Sequence, residues 1–338
     1  MAYHEAPLLT LEAAIETPHS RRTLLKMFGV AAVGAAGLTH LDQCVTDAKW
    51  PRRGTTASVF ETHGPRNGKM TMVLPGFGVQ SGEGIMHAIA PSINQTSQYA
   101  GFVRYGDHDL NIDHIADAIN RTQYRLGFDA IYLYLHSMAG AMAPDILSRL
   151  DRKVTIAGIT YDCSPWTSDF VFDQGLVELI SSIPIAGSYS TKLLAQTAER
   201  SQPKYDHQTI GKKLETVWTT TNDEGSPRTC VGQIHYLKQR QMPAYDGMRE
   251  DTPSVYFRPS DAETDRTTRI IAAQKAFEAS IPGNKRIIFV PFRGHANPKG
   301  RPEAYNQAIM SIPQAFDSSG PRVISTRYGI RVEKGGAR

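Results

Sequence analysis

Residues 131 to 140 read IYLYLHSMAG, and the fold turns on how they are understood. Ile131 to Leu135 carry no charge, as expected of a central strand covered on both faces. Ser137 follows, and the small residues after it open a helical stretch, SMAGAMAPDILSRLD. A serine at such a junction has two uses. It can cap the helix, a position serine favours strongly. It can also be a nucleophile lifted on a sharp turn, for which the usual pattern is Gly-x-Ser-x-Gly. Leu135 and Ala139 stand where those glycines would be. The ten residues alone leave both uses open.

Working outward, strand and helix signals alternate. KMTMVLPG (residues 69 to 76) predicts a strand ending at Pro75-Gly76, and GFVRYG (101 to 106) another. DHIADAINRTQYRLG has helical spacing, with Ile115, Ala118, Ile119 and Tyr124 on one apolar face and Gly127 as the stop. Pro144 must kink or divide the helix after Ser137. KVTIAGITYD, SVYFRP and KRIIFVPF predict three more strands, with TTRIIAAQKAFEAS a helix between the last two. RPEAYNQAIMSIPQAF reads as a final helix bent or ended by Pro313. This order predicts an α/β protein with a doubly wound, mainly parallel sheet. Residues of about 164–250 lack the alternation, so they are expected to form a helical insertion over the carboxyl edge of the sheet. No internal repeat or low-complexity tract is apparent.

In such a sheet, ligands meet the carboxyl ends of the strands. Three places there join Ser137. LPGFGV (74 to 79) is a glycine-flanked turn that lets the Phe77 or Gly78 amide face a ligand, as Met138 N–H does at the helix start. VYFRPSDAETD places Asp261 after a late strand, and IIFVPFRGHANP places His295 after the last one. The resulting order is serine, acid, histidine. A serine hydroxyl must lose its proton as it attacks, a neutral imidazole can take it, and a carboxylate behind the ring fixes its tautomer.

Over roughly residues 55 to 316 the chain resembles the α/β-hydrolase family. "HSM" is similar to the centre of that family's Gly-His-Ser-Met-Gly-Gly elbow, with Gly140 matching the last glycine. The resemblance implies Ser137 as nucleophile, Asp261 as acid, His295 as base, Phe77 and Met138 as backbone oxyanion donors, and a cap at 164–250. Leu135 departs from the small residue the family uses. For the acid, Asp265 ranks after Asp261, with Glu263 in the same loop, and Asp162 stands third, at the family's less common position. The implied activity is cleavage of a small carboxylic ester, of acyl or aromatic character, through an acyl-enzyme, with no cofactor. An inactive binding protein on the same fold, or an amide or thioester hydrolase, are the alternatives. Phe170, Val171, Phe172, Leu176 and Ile180 would line an acyl pocket or form the packing face of a cap helix.

Composition narrows the partners. The 338 residues carry a formal charge of only +4, with 41% hydrophobic and 21% charged residues. Basic residues are scattered among acids, which disfavours nucleic acid as a partner. At the N-terminus, Ser20, Arg21, Arg22, Leu24, Leu25 and Lys26 precede the uncharged stretch Met27 to Leu38. This resembles the bacterial twin-arginine export signal, and it is short for a membrane span. Residues 1–44 are therefore expected to be an export segment, with 45–338 the hydrolase domain and membrane contact limited to that segment. Asp42 and Gln43 make Cys44 a poor lipidation site, while pairing of Cys163 with Cys230 stays open. No metal-ligand spacing and no phosphate-binding glycine motif is present. The cluster Asp107-His108-Asp109 reads as a solvated helix-capping loop.

Overall fold

Alternation along the strands decides which side of the sheet each residue covers. In the strand Ala130–His136 (β4), Ile131, Leu133 and Leu135 belong to one apolar core, whereas Tyr134 belongs to the other. Met70, Met72 and Leu74 of Lys69–Leu74 (β2) join the first core, and Val73 the second. Two faces loaded in this way need helices on both sides.

The computed structural model describes residues 38–50, 52–108, 110–171, 188–200, 208–223, 225–240, 252–265, 267–316, 322–326 and 329–333. A helix, Leu38–Lys49 (α1), leads into Thr56–Glu61 (β1), and Glu83–Thr96 (α2) connects β2 to Tyr99–Arg104 (β3). Ile112–Leu126 (α3) leads into β4, and Ala139–Leu147 (α4) into Thr155–Asp162 (β5). Tyr189–Arg200 (α5), Ile210–Asp223 (α6) and Pro227–Gln239 (α7) lie in the expected insertion before Ser254–Asp261 (β6). Ile270–Ser280 (α8), Lys285–Arg293 (β7), Pro302–Met310 (α9) and Ile312–Phe316 (α10) follow. The seven strands run in the order β1-β3-β2-β4-β5-β6-β7, and only β1 is antiparallel to its neighbour. Arg322–Thr326 (β8) and Gly329–Glu333 (β9) form a separate antiparallel pair.

This is the doubly wound, mainly parallel sheet that the sequence predicts. Helices α3, α4 and α8 contribute to one core and α2 and α9 to the other. Gly127 stops α3 in the left-handed conformation, with φ 67°. Tyr124 departs from expectation. It is 91% exposed, and the buried stripe of α3 is Ile115, Ala116, Ala118, Ile119 and Thr122. Pro144 sits inside α4, fully buried, and the helix is short. Ser311 separates α9 from α10, with Pro313 in the first turn of the second helix, where a missing N–H costs little. The edge strand β1 escaped the sequence reading because it is largely solvated and shows no apolar alternation.

Helix α1 crosses residue 44 and is built into the fold. Thr46 is fully buried, Tyr189 N–H donates to Thr46 Oγ1 at 2.9 Å, and Arg228 pairs with Asp47 at 2.6 Å. Cys44 lies exposed within it. The paired arginines and most of the apolar stretch behind the export expectation lie outside the described residues. No helix among the described residues is long and apolar enough to cross a membrane.

Candidate functional site

Ser137 occupies the turn between β4 and α4 with φ 52°, a left-handed conformation that a residue with a Cβ adopts only under constraint. The constraints are visible. Ser137 N–H donates to Asp162 O at 2.8 Å, and Gly140 N–H to Ser137 O at 3.1 Å. Neighbouring backbone crowds the turn: a Cβ at Gly76 would meet Ser137 Cβ at 2.7 Å, and one at Gly140 would meet Ser164 Cβ at 2.4 Å. Those two glycines are therefore required by close approach. Leu135 does not open the turn. It is fully buried in the apolar core to which Ala139, Ala141 and Ala143 of α4 also belong. Burying it contributes about 2 kcal/mol.

His295 follows β7 in the loop begun by Gly294, which has φ 86°. Its Nε2 lies 2.7 Å from Ser137 Oγ and its Nδ1 lies 2.8 Å from Asp265 Oδ2. A carboxylate only accepts, so Nδ1 carries the proton and Nε2 is left to accept from the serine hydroxyl. Asp265 is fully buried, and its Oδ1 accepts from the amides of Thr267 at 2.8 Å and Thr268 at 2.9 Å. The two loops are stitched together by Thr264, whose Oγ1 accepts from Gly294 N–H at 2.8 Å.

The carboxylate beside His295 is thus Asp265, which corrects the order given to the acids. The strand β6 extends to Asp261, further than the sequence suggested, and its register places Asp261 opposite Arg293. There the half-exposed Asp261 carboxylate lies 3.9 Å from Arg293 Nε. The short helical turn Ala262–Thr264 then carries the chain back, so Asp265 reaches the imidazole.

Asp162 lies behind the site, fully buried. Tyr134 donates its hydroxyl to Oδ2 at 2.8 Å and Tyr305 to Oδ1 at 3.2 Å, and Tyr305 Oη accepts from Asn297 N–H at 3.0 Å. Burial raises the Asp162 carboxyl to about 7, against the pull of the Tyr134 hydrogen bond. His136 is lowered to about 3 by burial and by His295, so it is a neutral ring. Cys163 also has positive φ, at 52°, and burial pushes its thiol well up. It and Cys230 are separate thiols.

Among the described residues, Cys163, Asp265 and His295 form the one group spaced to hold a metal, with their donor atoms within 4.8 Å of one another. Asp265 and His295 already share a proton, and a thiol held protonated is a poor ligand, so the donors fit a hydrogen-bonded arrangement better than an ion. The Asp107 loop behaves as a structural element, with Ser226 Oγ donating to Asp107 O at 2.8 Å.

The two expected oxyanion donors, Phe77 N–H and Met138 N–H, have no acceptor among the described residues. Gly78 N–H is already committed to Gln233 Oε1 at 3.0 Å, which leaves Phe77 as the donor from that turn. Of the apolar cap residues, Phe170 and Val171 pack against the core, and Phe172, Leu176 and Ile180 lie outside the described residues. An apolar hollow of about 340 Å³ lies near the amino ends of the strands, lined by Ile89, Ile93, Tyr132, Tyr134, Ile309 and Ile312. It is on the wrong edge to serve Ser137. Gln233 and the Asp162–Tyr305–Asn297 chain were missed by sequence reading, because no local pattern marks a contact between distant segments.

A seven-stranded sheet with its strand–serine–helix turn at the carboxyl edge defines the α/β-hydrolase fold, and solved structures of that fold match 76–80% of this chain. MenH from S. aureus is 13% identical, with a TM-score of 0.54 over 76% of this chain and 97% of that one. A hydrolase from Oleispira antarctica is 11% identical, with a TM-score of 0.51 over 80% and 96%. The bromoperoxidase from Bacillus anthracis is 10% identical, with a TM-score of 0.50 over 77% and 95%. No family model and no curated protein sequence matches the chain. At these identities the likeness is one of fold, which hosts several chemistries.

Proposed function

We propose that the chain is a serine hydrolase acting on small carboxylic esters through an acyl-enzyme. One observation carries this reading: Ser137 Oγ, on a strained turn, lies 2.7 Å from His295 Nε2, whose other nitrogen is held by buried Asp265. In the first half-reaction Ser137 Oγ bonds to the ester carbonyl carbon while its proton passes to His295 Nε2. The carbonyl π electrons move to oxygen, where the Phe77 and Met138 amides face the new charge. Collapse expels the alkoxide, which takes the proton from His295. Water then repeats the sequence on the acyl-enzyme, releasing the acid and restoring Ser137.

The competing reading, a binding protein with a relaxed elbow, drew on Leu135; the positive φ of Ser137 and its hydrogen bond to Asp162 O support a sharp elbow instead. The ester preference over amide or thioester rests on the resemblance alone. The export reading rests on Ser20 to Lys26 and the apolar stretch behind them. A chain with Lys at positions 21 and 22 is expected to stay in the cytoplasm where the wild type leaves it.

An ester panel run beside a fluorophosphonate probe tests the catalytic reading. The wild type is expected to turn over at least one ester and take up one probe per chain, and Ser137→Ala to do neither. A folded wild type that takes no probe and cleaves nothing would favour the binding reading.

A further inference from the structure

The turn that presents Phe77 N–H is held from outside, and by the cap. Pro75 O accepts from Tyr105 Oη at 2.7 Å, and Gly78 O accepts from Gly225 N–H at 2.9 Å. Gln233 bonds to two further groups of the turn. Its Nε2 donates to Gly76 O at 3.3 Å, and its Oε1 accepts from Gly78 N–H at 3.0 Å. The amide therefore brackets Phe77, gripping the residue before it and the residue after it. Gly78 has φ 74°, a left-handed conformation that glycine takes without steric cost, so the turn itself is unstrained and its hydrogen bonds set its direction.

Gln233 is itself buried. It is 1% exposed, in the middle of α7. The same face of that helix is tied down one turn earlier by Thr229 Oγ1, which donates to Gly106 O at 2.5 Å. One turn later, Tyr236 Oη donates to Asp145 Oδ2 of α4 at 2.5 Å and lies 3.3 Å from Ala141 O of the same helix. The spacing 229, 233, 236 follows one helical face. A fully buried amide that is matched donor to acceptor against one turn has a defined position.

The geometry points to Gln233 as a positioning residue for the oxyanion hole, through which the cap insertion contributes to the rate of the chemical step and not only to substrate binding. The inference rests on the serine hydrolase reading above. Gln233 touches neither substrate nor reacting atoms. It acts through the direction of Phe77 N–H, and a donor displaced by about 1 Å loses much of its effect on the transition state. The consequence is a division of effects. Loss of Gln233 lowers kcat, because the oxyanion exists only in the transition state, and leaves KM near its original value.

The test compares Gln233→Met with Tyr236→Phe in the full-length protein. Gln233→Met keeps the volume and removes both hydrogen bonds to the turn. Tyr236→Phe loosens the same helix one turn away without touching the turn. Gln233→Met is expected to lower kcat about 10- to 100-fold with KM within about twofold. A trifluoromethyl ketone, which forms a charged tetrahedral adduct with Ser137, should lose affinity in parallel with kcat/KM. Tyr236→Phe is expected to keep kcat within about twofold, as is usual for loss of one partly exposed hydroxyl.

Unchanged kcat and ketone affinity in Gln233→Met, or an equal kcat loss in Tyr236→Phe, would overturn the positioning role while leaving the hydrolase reading intact. Should Gln233→Met fail to fold, Gln233→Glu, which keeps the acceptor for Gly78 N–H and loses the donor to Gly76 O, carries the same comparison. A folded wild type that neither cleaves esters nor takes the probe would remove the hydrolase reading and this one with it.

Discussion

Replacing Asp265 by Asn, with Asp261→Asn as its partner, separates the two acids. Asp265 is fully buried and accepts three hydrogen bonds, from His295 Nδ1 at 2.8 Å and from the amides of Thr267 and Thr268 at 2.8 and 2.9 Å. An asparagine has one acceptor and one donor where the carboxylate had two acceptors. If its oxygen keeps the two amides, its NH2 faces Nδ1 and drives the ring proton to Nε2. Ser137 then has no base. Loss of the correct tautomer is worth about 10³- to 10⁴-fold in kcat, or about 4–5.5 kcal/mol at 1.36 kcal/mol per decade. The opposite orientation strands two buried amides instead, at about 1–3 kcal/mol of stability each. Asp261 is half exposed and 3.9 Å from Arg293, so its neutralisation should change kcat by less than about twofold. Steady-state hydrolysis of a p-nitrophenyl ester, with a thermal melt of each variant, reads both. An Asp261→Asn enzyme that loses about 100-fold or more while folded Asp265→Asn stays active would refute the assignment.

Ser137→Gly relieves the positive φ and should raise stability by about 1 kcal/mol while abolishing turnover, a melt and an ester assay being sufficient. A lower melting temperature would mean that the turn is not strained. The Asp162 carboxyl, raised to about 7 in the folded protein, keeps a proton that the unfolded chain releases near pH 4. Unfolding free energy should therefore fall as pH rises from about 4 to about 7, then level off, and this part of the slope should vanish in Asp162→Asn. Urea midpoints across that range measure it, and an equal slope in the variant would assign the effect elsewhere.

Much of the architecture was legible along the chain. Ile131 to His136 form a strand buried on both faces because apolar side chains alternate onto two cores, and that pattern is local. Gly127 ended its helix in the left-handed conformation, and Pro313 fell in the first turn of a new one, both for reasons that belong to their own backbones. Ser137 and His295 were found because the order of strands fixes which loops reach the carboxyl edge. What could not be read was register and reach. Asp261 and Asp265 are four residues apart in one acidic loop, and only the length of β6 and the turn after it decide which carboxylate meets the imidazole. Leu135 looked too large for the elbow, yet it is fully buried in the core that it shares with the alanines of α4 while Ser137 keeps its positive φ. Gln233 lies far along the chain from the turn it grips, and no spacing rule connects them. The sequence by itself determined the alternation of strands and helices and most of the buried stripes, and it put Ser137 and His295 among the candidates, since each depends on local periodicity and residue type. Which carboxylate reaches His295, and which amides of the turns keep no acceptor among the described residues, were decided by the tertiary structure, because hydrogen bonds between distant segments exist only once the sheet and cap have packed.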